Sequence, residues 1–148
     1  GFLHTAIREK GGAYGAGASN DTATNTFKFF SYRDPKCTET FSAFKEAIEW
    51  SKTSITDQHL EEAILGVVSS IDKPLSPVGE AKNDFNLNLE DISTKERLEM
   101  RQRVINCSID DLIRVSEKYL TKPSKKSILA GKAYSKEASS LGLNLREV

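Results

Sequence analysis

Metal-binding side chains are scarce in this sequence, which has two histidines and two cysteines among its 148 residues. His4 and His59 have no second histidine at ligand spacing, and neither HExxH nor HxxEH occurs. Cys37 and Cys107 are distant and have no CxxC partner, so we interpret them as reduced structural residues and not as a disulfide or metal site. We interpret His59 as an exposed helix histidine. The sequence therefore predicts no metal ion bound by this chain.

A net charge is also missing, because lysine plus arginine and aspartate plus glutamate each total 21. Nucleic-acid binders usually carry a basic surplus, since neutralised phosphates supply most of their affinity, so we expect no nucleic-acid partner. The local cluster of Lys122, Lys125 and Lys126 is interpreted as a solvated turn. No apolar run approaches the roughly 20 residues that span a bilayer. Residues 1–6 also do not resemble a signal peptide, and we expect no membrane partner.

Residues 3–10 predict the end of a helix. Arg8 and Lys10 are basic residues in its last turn, and Gly11 and Gly12 follow at the positions where helices commonly end. We therefore expect the chain to open inside a helix that begins further upstream, which is a first indication of a fragment.

Two β-strands are predicted after these glycines. Residues 26–32 (TFKFFSY) are β-branched and aromatic, as strands commonly are. Residues 13–19 are small, and a polar turn over residues 20–25 joins them to the second run, which predicts an antiparallel pair. Gly15 and Gly17 weaken the first strand and predict that another backbone approaches it closely.

The rest of the sequence predicts mainly helices. A helix over residues 38–52 carries Phe41, Phe44 and Ile48 on one face. Three further helices are opened by capping signals at Thr56 or Asp57, at Ser93 with Glu96, and at Ser108 with Asp111. The buried stripe of the first of these three is predicted to be Leu60, Ile64, Val67 and Ile71, and that of the last Ile109, Leu112, Ile113 and Tyr119.

Three segments complete the prediction. Residues 76–89 are ambiguous, because Pro77 suits the first helical position whereas Gly79 favours irregular structure. Residues 126–132 (KSILAGK) predict a strand, and residues 135–141 predict a short helix. We therefore predict one α+β domain over residues 1–148, in which helices cover an antiparallel sheet.

The glycine cluster at residues 11–17 is the most unusual local feature. A phosphate-binding loop needs glycines that lead into a helix, whereas these glycines follow a helix and lead into a strand. Arg8 and Tyr14 could converge across the Gly11-Gly12 turn, where a guanidinium and a phenol can hydrogen-bond a peptide carbonyl or the oxyanion formed from it. A surface cation at Arg8 and a core ring at Tyr14 remain open as alternatives. No GxSxG elbow occurs, which argues against serine hydrolysis.

The runs LHTAIREKGGAYGAGAS, FKFFSYRDP and FSAFKEAIEWSK resemble the last domain of the presequence proteases. These enzymes are peptide-degrading members of the pitrilysin/insulinase clan of zinc peptidases, and falcilysin is similar. The combination of IREKGGAYG with SYRDP at this spacing is specific, and a weaker likeness continues through the ILAGK segment. The resemblance thus covers essentially the whole chain.

The resemblance implies a two-half enzyme that closes around a peptide chamber. Zinc and the glutamate that activates water belong to the N-terminal half, so the resemblance implies no cofactor in this chain and Zn²⁺ in the parent enzyme. By motif, Arg8 and Tyr14 are the catalytic positions that contact the substrate carbonyl, and Gly12, Ala13 and Gly15 are substrate-binding positions. The implied partners are the N-terminal half of the same peptidase and peptide substrates.

The resemblance also implies a partial domain, because such domains begin with a strand and a helix upstream of Gly1. We therefore expect the C-terminal, zinc-free portion of a metalloendopeptidase that degrades short unstructured peptides such as cleaved targeting sequences, inactive alone. The alternative is a catalytically silent scaffold or peptide-binding module of the same fold. The location would be the mitochondrial or plastid matrix in a eukaryote and the cytoplasm in a bacterium.

Overall fold

The computed structural model describes residues 1–21 and 24–146, and its two strands form an antiparallel hairpin. Strand β1 is Gly15–Asp21 and strand β2 is Thr26–Tyr32. This confirms the predicted pair, although β1 begins and ends two residues later than expected. The predicted turn at 20–25 includes Thr22 and Ala23, which lie outside the described residues.

The glycines of β1 have a different neighbour from the one predicted. Gly17 lies opposite Phe30, and a Cβ added to Gly17 would come within 3.1 Å of the Phe30 ring. A Cβ added to Gly15 would meet nothing within 4 Å. The expected approach of another backbone is therefore wrong for the described part of the chain, and an aromatic side chain across the hairpin occupies the space that Gly17 leaves.

The segment before the hairpin is a π-helix, His4–Glu9, which confirms the predicted helix end. The Gly12 N–H donates to the Arg8 carbonyl at 3.0 Å, and the Ala13 N–H donates to the Ile7 carbonyl at 3.1 Å. Gly12 has a φ of 84°, a conformation that L side chains disfavour, and a Cβ on Gly11 would collide with the Ile7 carbonyl oxygen. Both glycines are therefore needed to turn the chain into β1.

Helix α1, Cys37–Thr53, follows the hairpin, and Asp34 lies three residues before its start. Asp34 accepts hydrogen bonds from the Lys36 N–H at 2.9 Å and from the Thr40 hydroxyl at 2.6 Å. The predicted stripe of Phe41, Phe44 and Ile48 is half-buried, whereas the fully buried side chains of the helix are smaller. They are Thr40, Ala43 and Ala47.

The hairpin, the π-helix and α1 share one small apolar cluster. Ile7, Ala13 and Ala43 are its buried members, and the partly buried Leu3, Ala6, Ala16 and Phe44 pack against it. Phe29 of β2 stacks on Phe44 of α1 with ring centroids 5.3 Å apart. The inner face of the hairpin is thereby fixed to α1.

The described C-terminal segments, up to residue 146, form no strand, so the predicted strand at residues 126–132 is wrong. The described residues there are irregular, and the Leu129 side chain is 93% exposed. A strand needs a neighbour to pair its N–H and C=O groups, and neither β1 nor β2 pairs with this segment. The predicted short helix is present as α6, Ser135–Ser140, after a 3₁₀ turn at Lys132–Tyr134.

Four helices lie between Ser54 and Val115, and each has a recognisable start. They are α2 Asp57–Ile71, α3 Pro77–Leu89, α4 Thr94–Ile105 and α5 Ile109–Val115. The hydroxyls of Thr56, Ser76 and Ser93 accept hydrogen bonds from N–H groups of the first turns. The ambiguous segment is thus helical, with Pro77 at its first position.

Two side-chain predictions for these helices have different outcomes. His59 is exposed, as predicted, and its ring lies 3.2 Å from the Thr56 N–H, where it completes a capping box. Val67 is 43% exposed, so its predicted place on the buried stripe is wrong, and Val68 is half-buried instead. Helix α5 ends at Val115, and a π-helical turn, Ser116–Leu120, follows it. Tyr119 lies in that turn and is exposed, so its predicted place on the buried stripe is wrong.

The antiparallel hairpin and the helices confirm the predicted α+β class. The chain divides into two compact units, and the single-domain prediction stays a prediction. Unit 1 is Gly1–Thr53 with Ser116–Val148, and unit 2 is Ser54–Val115. Within unit 2, Arg101 of α4 forms a bidentate ion pair with Asp72 at 2.6–2.9 Å, and Arg97 donates to the Ile71 carbonyl at 2.9 Å. Helix α4 therefore fixes the C-terminal end of α2.

We expect unit 2 to lose helical structure between about pH 4 and pH 2. Hydrogen bonds from Arg114 and then Ser108 lower the pKa of Asp111 from 3.8 to about 2, and similar bonds lower the pKa of Asp72 and Glu96. A lowered folded-state pKa means that the stabilisation is present above the ordinary pKa and is lost as the pH falls through the folded-state value. Far-UV circular dichroism of the chain during acid titration measures the loss.

The matched control is Asp111→Asn, which cannot take up the proton at this site. Its helical signal should depend less on pH in the same window, although Asp72 and Glu96 still titrate there. Because these carboxylates are exposed, we expect a modest effect. Identical acid profiles for the two proteins would contradict the assignment to Asp111.

Candidate functional site

Arg8 lies on the exposed side of the π-helix and hydrogen-bonds to its own turn. Its Nη1 donates to Nε2 of His4 at 3.0 Å, and Nδ1 of His4 lies 3.3 Å from a carboxylate oxygen of Glu9. The imidazole thus links the guanidinium to the carboxylate. Arg8 is therefore an exposed cation whose direction is set by a local network.

Tyr14 lies between the glycine turn and β1 and is held by its main chain. Its N–H donates to the carbonyls of Tyr32 at 3.1 Å and Arg33 at 3.3 Å. Its side chain is 66% exposed, so the alternative of a core ring is wrong. Tyr14 therefore presents its ring at the surface from a fixed backbone.

Arg33 is a member of this site that the sequence analysis missed. Its guanidinium carbon lies 5.6 Å from the centroid of the Tyr14 ring and 5.4 Å from that of the Tyr32 ring. The two rings meet edge to face, with centroids 5.8 Å apart and an interplanar angle of 84°. We call Tyr14, Tyr32 and Arg33 the aromatic–arginine cluster. Its sequence signal is the SYRDP run, in which Arg33 follows the last, aromatic residue of β2.

The structure returns the glycine turn that leads to Tyr14 to the helix end that carries Arg8, and the side chains of Arg8 and Tyr14 have different partners. The Gly12 N–H donates to the Arg8 carbonyl, so the turn returns the chain to the helix end that carries Arg8. In the described part of the chain, the Arg8 side chain bonds to His4, and the Tyr14 ring packs on Tyr32. Convergence of the Arg8 and Tyr14 side chains on one substrate atom stays a prediction.

The three predicted substrate-binding positions have different surroundings. Gly12 is exposed, Ala13 is buried in the core, and Gly15 pairs with Tyr32 at the start of β1. The Ala13 side chain is inside the core and its N–H donates to the Ile7 carbonyl, so the substrate-binding role of these three positions stays a prediction.

A metal centre is not formed by the residues that the structure describes. Among residues 1–21 and 24–146, no three histidine, cysteine, aspartate or glutamate side chains are grouped so that they could hold an ion. The half-buried thiols of Cys37 and Cys107 have a pKa raised first by burial and then by nearby carboxylates, so thiolate ligands are disfavoured. These described residues therefore offer no grouped set of ligands for a zinc ion. In the same ranges, no helix is both long and apolar enough to cross a membrane.

The glycine turn, the hairpin and the exposed tyrosine carry the motifs by which the chain resembles the peptidase clan. The chain belongs to the C-terminal domain family of the presequence proteases, because the family model described as "PreP C-terminal domain" matches residues 1–130.

The similar proteins include mitochondrial presequence proteases from animals and fungi. The chain is 41% identical over 121 residues to that of Xenopus tropicalis, which covers 81% of the chain and 11% of the relative. It is 41% identical over 120 residues to that of Mus musculus, covering 80% and 11%, and 38% identical over 129 residues to that of Yarrowia lipolytica, covering 86% and 13%. The chain thus spans little more than a tenth of the length of these relatives.

Proposed function

We propose that this chain contributes substrate and transition-state contacts to a zinc metalloendopeptidase that degrades short unstructured peptides. Its relatives are named for presequences, so cleaved targeting peptides are the substrate class that we assign. The zinc and the glutamate that activates water belong to the N-terminal half. By the complete peptidase we mean the protein in which that half and this chain act together.

The exposed phenol of Tyr14 is the observation that carries this proposal. Attack of water on a peptide bond turns the carbonyl oxygen into an oxyanion, and a positioned O–H donor stabilises that charge. Tyr14 has such a donor on a backbone that two hydrogen bonds hold. Arg8 provides a permanent positive charge on the adjoining helix and, in our proposal, binds a substrate carbonyl.

The composition of the core supports a role as part of a larger protein. In the described residues, the buried apolar side chains are one isoleucine and four alanines, whereas many large apolar side chains are exposed. Val78, Phe85 and Leu89 on α3 are examples, at 79%, 63% and 70% exposure. Exposed apolar surface of this kind is typical of regions that pack against another surface. We propose that the N-terminal half of the peptidase provides part of that surface.

The proposal predicts that the purified chain alone neither binds zinc nor cleaves a quenched fluorescent peptide. Adding the N-terminal half should restore cleavage, and a chelator should abolish it. The measurement is metal content and fluorescence increase in the same sample. Stoichiometric zinc with chelator-sensitive cleavage by the chain alone would contradict the proposal, and a zinc-loaded complete protein with no cleavage would favour the scaffold alternative.

A further inference from the structure

We infer that Arg33 is a positioning residue that fixes the ring of Tyr14 for contact with the substrate. The inference rests on the proposed function, in which the Tyr14 hydroxyl stabilises the oxyanion. It adds a residue that lies outside the IREKGGAYG motif and contacts Tyr14 across the open end of the hairpin, where Gly15 pairs with Tyr32.

Arg33 holds Tyr14 by both its side chain and its main chain. The guanidinium lies over the Tyr14 ring at 5.6 Å and over the Tyr32 ring at 5.4 Å, within the range of cation–π attraction. The Arg33 carbonyl also accepts the Tyr14 N–H at 3.3 Å. Arg33 therefore restrains both the backbone and the ring of Tyr14.

The exposure of Tyr14 explains why this restraint matters. A side chain that is 66% exposed has few packing contacts to select one rotamer. Tyr32 packs on one edge of the ring and the guanidinium lies over the ring, so together they limit rotation about the Cα–Cβ bond. The hydroxyl is then presented in one direction while its outer side stays open to a peptide.

The backbone of Arg33 supports the same conclusion. Arg33 has a φ of 49°, which arginine rarely adopts and which glycine adopts without strain. The next residue, Asp34, accepts hydrogen bonds from Lys36 and Thr40 and so ties the turn to α1. Residues in strained conformations cluster at functional sites. An arginine at this position indicates that its side chain is used.

The test is a double-mutant cycle with Arg33→Gly and Tyr14→Phe in the complete zinc-loaded peptidase. Glycine accepts the φ of residue 33, so Arg33→Gly removes the guanidinium without straining the turn. We expect this variant to lower kcat for a quenched fluorescent peptide by about 10-fold with little change in KM, because misplacing a catalytic group slows the chemical step. In the Tyr14→Phe background the same substitution should have almost no further effect. Arg33→Lys, which keeps a cation, should recover part of the loss.

The controls separate the inference from the function on which it rests. Lys122→Ala removes a lysine whose ring contact is with Tyr119, at 5.8 Å from its centroid, and should leave kcat unchanged. If Tyr14→Phe lowers kcat but Arg33→Gly does not, the positioning role is wrong and the proposed function stands. An equal loss from Arg33→Gly in both backgrounds, or a rise in KM alone, would also overturn it. If Tyr14→Phe has no effect, the proposed function fails and the inference fails with it.

Discussion

Replacing Tyr14 by phenylalanine is expected to lower kcat of the complete peptidase by about 100- to 1,000-fold, the usual effect of removing one oxyanion donor. KM should change little, because the hydroxyl bonds more strongly to the oxyanion than to the neutral carbonyl of the bound peptide. The measurement is steady-state cleavage of a quenched fluorescent peptide by the zinc-loaded enzyme.

This substitution tests chemistry and not folding. Phenylalanine keeps the ring that packs on Tyr32 and lies under Arg33, and the N–H of residue 14 keeps its two acceptors. A matched control is Tyr119→Phe, which removes the hydroxyl of another exposed tyrosine of unit 1 and should leave kcat unchanged. Wild-type turnover in Tyr14→Phe would show that the phenol contributes nothing to the reaction.

The elements whose signals are local were predictable from the sequence. The Ser93–Glu96 capping box, the Gly11-Gly12 helix end and the aromatic run of β2 each contain their partners within a few residues. Hydrogen bonds within a few residues decide the cap and the helix end, and β2 has its partner strand β1 immediately before it in the sequence. Most helices and the hairpin therefore followed from pattern, with bounds shifted by one or two residues, whereas the pattern is ambiguous for α3, and α5 ends at Val115, before Tyr119.

The errors concern structure that depends on distant residues. Residues 126–132 have the composition of a strand, but no described strand lies beside them to accept their hydrogen bonds. The choice between Val67 and Val68 as the half-buried residue of α2 depends on the position of α4, which periodicity does not encode. Propensity describes what a segment can form, whereas pairing decides what it does form.

The site shows the same division between motif and geometry. Arg8 and Tyr14 were predicted as catalytic positions from the motif that carries them, and those roles stay a prediction. The exposed fraction of Tyr14 removed the alternative of a core ring. Arg33 was missed because its role depends on a positive φ and on two rings that meet across the hairpin. Neither feature has a signature in the order of residues. The support behind a catalytic side chain is therefore harder to predict than the side chain itself.

Ile7 connects this site to the stability of unit 1. It is 1% exposed and is the one large side chain that is fully buried in the described residues, while the other buried apolar residues are alanines. Its carbonyl accepts the Ala13 N–H, so the packing of Ile7 and the glycine turn that leads to Tyr14 depend on one another. In a core with so few large side chains, no other large buried side chain can fill the cavity that the removal of Ile7 would leave.

We therefore expect Ile7→Ala to lower the free energy of unfolding of unit 1 by about 3 kcal/mol, from lost apolar burial plus the cavity left behind. Trp50, the single tryptophan, stacks on Phe2 with centroids 5.9 Å apart, so its fluorescence during urea titration reports on this unit. Ile7→Val removes one methyl group and should cost about 1 kcal/mol. Equal midpoints for the two variants would mean that neighbouring groups fill the space and that Ile7 does not hold the core. Because the free energy of unfolding of a native domain is only about 5–15 kcal/mol, the expected decrease is large enough to separate these outcomes.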